Sequence, residues 1–108
     1  MATHPACAAK LLVRLSGGDP EAFLGYETTK ETPRTNTRAL LEELLDTLTA
    51  TIVKALDEED DATFAAATRD RVALILVYAD AIRSPRFAEA VWLHIVTRGP
   101  DAVAEAAG

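Results

Sequence analysis

The sequence predicts an all-α fold, a small helical bundle of about four to five helices, assembled as a dimer. Three observations carry this. Strong helix formers dominate, with 21 Ala among 108 residues. No stretch alternates apolar and polar residues with the period of two that a half-buried strand requires. And apolar residues recur at spacings of three and four between Pro, Gly, Ser and Asp residues suited to helix ends. The dimer follows from excess: Val72 to Ala79 reads VALILVYA, eight apolar residues in succession, and Val91-Trp92-Leu93 with Ile95-Val96 repeat the pattern downstream. One helical face needs less apolar surface than that, so other helices, a second copy or a partner must cover the remainder.

The first helix is expected over residues 5–16. Pro5 suits its first position and Gly17-Gly18 its left-handed end, and Ala8, Leu11, Leu12 and Leu15 form its stripe. Asp19-Pro20-Glu21 then reads as a cap, a first-turn proline and a dipole-facing acid, opening a short helix over 20–25 that carries Phe23 and Leu24. Residues 27–38 contain no hydrophobic side chain and read as an exposed polar connection.

A long helix follows over 34–57, starting between Thr32 and Thr37. Leu41, Leu45, Leu48 and Ile52 are spaced 4, 3 and 4, with Leu40, Leu44 and Leu56 widening the stripe. The run Asp57 to Asp61 breaks it, and its last members can cap the next helix, over 61–83. At 100° per residue, Phe64, Arg71, Ile75, Tyr78 and Ile82 share one side of that helix. Ala62, Ala66, Arg69, Ala73, Leu76 and Asp80 share the opposite one, and both sides can pack. Ser84 as N-cap and Pro85 as first residue open a last helix over 85–98, which Gly99-Pro100 should stop, leaving 101–108 to form one more turn or fray.

The whole, 1–108, reads as a single domain, and a globule of this length buries about 65% of the surface its unfolded chain exposes. A net charge of −6, with eleven scattered basic residues, argues against nucleic acid as a partner. No apolar run approaches the ~20 residues of a membrane span. A lone cysteine, Cys7, excludes an intrachain disulfide. The expectation is a cytoplasmic protein that engages neither membrane nor nucleic acid, and the Ala- and Arg-rich composition suggests a bacterial source.

Chemistry is thinly represented. There is no His-Glu-x-x-His, no Glu-x-x-His and no Cys-x-x-Cys, so no metal or other cofactor is expected. The stretch Ser16-Gly17-Gly18-Asp19 lacks the glycine spacing and the lysine of a phosphate loop. Asp57 to Asp61 lacks the alternation and glycine turn of a calcium loop. No catalytic residues are assigned, and the sequence points away from an enzyme.

Four residues stand out as partner or ligand contacts: Arg71, Tyr78, Trp92 and His94. An unpaired guanidinium among apolar neighbours is costly, so Arg71 must snorkel, pair internally or meet an anion. Trp92 can fill the core or anchor a partner, and a lone His94 on an apolar helix face is usually a packed residue. Arg34, Asn36 and Arg38, in the one cationic segment, are candidate anion contacts at a helix N-terminus, although capping explains the same letters.

The leading functional expectation is a non-enzymatic protein-interaction or regulatory module acting as a homodimer through 61–83 and 85–98, with another protein as a further possible partner. The first alternative is a small-molecule-binding or catalytic bundle with an interior site near Arg71, Tyr78, Trp92 and His94. The second is an acidic decoy that binds a basic partner through Glu42, Glu43, Asp46 and the 57–61 run.

Overall fold

The computed structural model describes residues 4–18 and 33–107. Within them the chain forms four helices and no strand: α1 (Pro5–Leu15), α2 (Pro33–Asp57), α3 (Asp61–Arg83) and α4 (Pro85–Ala107). The short helix expected over 20–25 lies outside the described residues.

Local chemistry fixes most of the ends. His4 caps α1, its Nδ1 accepting from the Ala6 N–H at 3.1 Å. Gly17 and Gly18 sit at φ 90° and 74° beyond the last turn, where their amides return to the carbonyls of Arg14 and Val13. α2 ends the same way without a glycine. Glu59 takes φ 53°, its N–H bonds the Leu56 carbonyl at 3.2 Å, and the Asp60 N–H reaches back to Ala55 at 2.9 Å. Asp60 then caps α3, accepting from the Thr63 N–H at 3.1 Å. Ser84 alone separates α3 from α4. Its backbone is extended, its N–H closes α3 on the Asp80 carbonyl at 2.9 Å, and its hydroxyl accepts from the Phe87 N–H at 3.2 Å.

Helix α2 is the hub, packing along both α3 and α4, while α1 lies chiefly against α4. The core they enclose joins Leu12 and Val13 of α1, Leu40 and Leu41 of α2, Leu74, Val77 and Ala81 of α3, and Val91, Trp92 and Ile95 of α4. Burying each of the larger side chains contributes about 1.5–3 kcal/mol. At the centre Thr37 is wholly buried, its hydroxyl 2.7 Å from the Ala88 carbonyl and 3.1 Å from that of Pro33. With one proton to give, it serves the nearer carbonyl and ties α2 to α4. An ion pair from Arg14 to Asp70 at 3.0 Å links α1 to α3 at the surface.

Three expectations need correction. Of the exposed connection expected over 27–38, residues 27–32 lie outside the described residues, and 33–38 are the opening turns of α2, whose start falls where it was expected, but with Pro33, Asn36 and Thr37 buried rather than exposed. Polar letters hid this, because Thr37 satisfies its hydroxyl inside the bundle. Helix α4 does not stop at Gly99-Pro100, and 101–107 is helix rather than frayed tail. Pro100 forfeits the bond its missing N–H would give residue 96, but DAVAEAA beyond it, with four Ala and one Glu in seven residues, sustains the helix. Finally, α3 is centred on neither of the two sides read from its sequence, although Tyr78 of the first is half-buried against the core and Asp80 of the second is buried. Its apolar buried stripe is Ala67, Leu74, Val77 and Ala81, an arc that lies between them.

Candidate functional site

That rotation of α3 sets up the surface of interest. With Ala67, Leu74, Val77 and Ala81 turned inward, the outer arc carries Ala65, Thr68, Val72, Ile75, Leu76, Ala79 and Ile82, all exposed. Thr68 is the one polar side chain among these seven. The large apolar members are strongly exposed: Val72 is 55% exposed, Ile75 41%, Leu76 60% and Ile82 52%. Single apolar residues at a surface are ordinary; several in register along one helix are a patch. Four more large apolar residues elsewhere, Val53, Leu56, Leu93 and Val96, are exposed to a similar degree.

At its N-terminal end this face meets an open groove of about 550 Å³ between α2 and α3. Ala55, Leu56 and Phe64 supply its apolar lining, and Glu59 and Asp61 its acidic rim. The opposite end of α3 is basic. Arg83 ion-pairs with Asp80 at 2.5 Å while most of its side chain stays in solvent; Arg86, beyond the Ser84 break, is exposed in the first turn of α4. The outer face of α3 is thus largely apolar along its middle, with exposed Arg69 at its edge beside Leu76, acidic at one end and basic at the other.

The four residues singled out as partner or ligand contacts go elsewhere. Arg71 Nε donates to Thr49 Oγ1 at 3.2 Å, and the Tyr78 hydroxyl donates to Glu42 Oε1 at 2.7 Å, so both stitch α3 to α2. The bond to Glu42 chiefly, then burial and the charge of Glu42, hold the Tyr78 phenol above its ordinary value, while Arg38 pulls it down. Trp92 is 0% exposed and belongs to the core, so it offers no surface to a partner. His94 is half-buried on α4. None of the four lines the groove.

The candidate anion contacts are also dispersed. Arg34 and Arg38 are exposed one turn apart, but Asn36 is buried, because positions two apart on a helix face different ways. The acidic segments already have structural employment in part: Glu42 accepts from Tyr78, and Asp60 caps α3, which lowers its carboxyl below the usual range through the side-chain and then the backbone bond of Thr63. Cys7 is exposed on α1. Among the described residues no three His, Cys, Asp or Glu side chains gather as metal ligands, and no helix is long and apolar enough to cross a membrane.

Sequence reasoning registered the apolar excess of 72–79 but not its orientation. The signal available was the run of Ala65, Thr68, Val72, Ile75, Ala79 and Ile82, spaced 3, 4, 3, 4 and 3, which a single threonine interrupts. Compared with protein-family models, curated proteins and solved structures, the chain matches none.

Proposed function

We propose that this protein is a non-enzymatic interaction module that acts as a homo-oligomer, a dimer in the simplest case, with the outer face of α3 as its contact. The observation that supports this is the exposure of Val72, Ile75, Leu76 and Ile82 along one side of one helix. Leaving such a stripe in water forfeits about 25 cal/mol for each Å² of apolar area that a partner could cover. A second copy is the occupant of choice, because a face bearing acid at one end and base at the other is complementary to itself.

Sedimentation equilibrium of the full chain at micromolar concentrations is the test. The expected mass is twice the 11.6 kDa of one chain, falling toward one chain in Ile75→Lys and Leu76→Glu. Both positions are exposed, so circular dichroism should show helix content unchanged. A monomer at every concentration overturns the reading.

A further inference from the structure

We infer that α3 meets the α3 of a second copy antiparallel, about a two-fold axis passing between Val72 and Ile75. This rests on the self-association proposed above and specifies its geometry.

The spacing of the exposed residues on this face is that of a two-helix seam, Ala65, Val72 and Ala79 in one heptad position and Thr68, Ile75 and Ile82 in the other. Stacked antiparallel, this seam forms layers in which Val72 faces the partner's Ile75, Thr68 the partner's Ala79, and Ala65 the partner's Ile82. No layer then sets two isoleucines or two alanines against each other. Stacked parallel, Ile82 would meet Ile82 at one end and Ala65 would meet Ala65 at the other, leaving one layer crowded and another void. Thr68 fits such a seam because it is small and has a methyl group. A threonine on a helix can return its hydroxyl to the carbonyl a turn back, as Thr47, Thr49 and Thr51 do on α2, and present that methyl to its neighbour.

Charge selects the same arrangement. Asp61 and Arg83 lie about 33 Å apart along the helix, far beyond the ~8 Å over which exposed charges interact at physiological salt. Only charges that face each other across the seam matter. A parallel pair would bring the 57–61 carboxylates of both copies together; the antiparallel pair brings Asp61 within a turn of the partner's Arg83, at the far end of α3. The groove at this end completes the fit: Phe64 and Leu56 offer an apolar seat for the partner's Ile82, while Glu59 and Asp61, which also line it, face the partner's Arg83.

Disulfide trapping in a Cys7→Ser background tests this. Ala65→Cys and Ile82→Cys chains, mixed, are expected to form a cross-linked dimer on mild oxidation. Ala65→Cys alone is not, since its two copies sit about 25 Å apart along the seam. In a separate series, Asp61→Arg should weaken association about tenfold, Arg83→Glu likewise, and the chain carrying both should recover it. Self-cross-linking of Ala65→Cys with no mixed product, in a protein that sediments as a dimer, overturns the antiparallel geometry and leaves self-association standing. A protein that sediments as a monomer removes both.

Discussion

Tyr78 of α3 and Glu42 of α2 are joined by a 2.7 Å hydrogen bond in which the phenol is the donor. The bond exists only while the phenol keeps its proton, which is why Glu42, first among the causes, raises the pKa of Tyr78. A raised pKa in the folded state means that the native protein binds this proton more tightly than the unfolded chain does. The stabilisation is therefore complete below the ordinary value of 10.0 and is lost as pH rises through the higher folded value. Urea midpoints measured from neutral to strongly alkaline pH should fall in this range for the natural chain, and Tyr78→Phe should lack that component. Glu42→Gln keeps an acceptor without its charge, so tyrosinate absorbance should appear at lower pH than in the natural protein.

The acid side has the opposite sign. Asp60 accepts from Thr63 at the start of α3, and its carboxyl is lowered from 3.8. Its stabilisation is present above that ordinary value and is lost as pH falls through the folded one. Asp60→Asn, which can still cap, should lose the associated decline in melting temperature at acid pH. Asp60→Ala should melt lower than the natural chain even at neutral pH, because the Thr63 amide then has only water.

The buried hydroxyl of Thr37 gives a third test. Thr37→Val preserves shape and removes the bond to Ala88, at an expected cost of about 1 kcal/mol; the Ala88 carbonyl keeps its place in the α4 ladder. Trp92→Ala, by contrast, opens a cavity in the core at a side chain with no exposure, and should cost about 3–5 kcal/mol. Equal effects in urea unfolding would contradict the assignment of Thr37 as a tie and Trp92 as core.

How much of this was legible depended on whether a residue's role was local. Asp60 and Ser84 marked the bounds of α3 because capping is a matter of a few neighbouring atoms, and α1, with one apolar side, declared its core face through Ala8 and Leu12. The facing of α3 was not legible: Leu74 and Val77 point inward and Val72 and Leu76 outward, yet the letters of VALILVYA do not distinguish them. A helix apolar all round has no preferred side until its neighbours choose one. Thr37 failed for the converse reason, since a hydroxyl reads as solvent-facing until an acceptor such as Ala88, 51 positions later, is brought beside it.

Glu59 offers a gain rather than a loss. It occupies φ 53° at the end of α2, where a side chain with a Cβ crowds the backbone at a cost of about 1–2 kcal/mol that glycine avoids. Glycine gives back part of that advantage by loosening the unfolded chain, so Glu59→Gly should be more stable by about 0.5–1 kcal/mol, with a higher urea midpoint and an unchanged slope. Charge is the confounding cause, since Glu59 sits within a run of five acids and its removal relieves repulsion as well. Glu59→Ala separates the two: it removes the charge and keeps the Cβ. If the backbone is the cause, alanine gains little and glycine most; if alanine gains as much as glycine, the acidic run was the strained element, and the left-handed turn was accommodated at no cost.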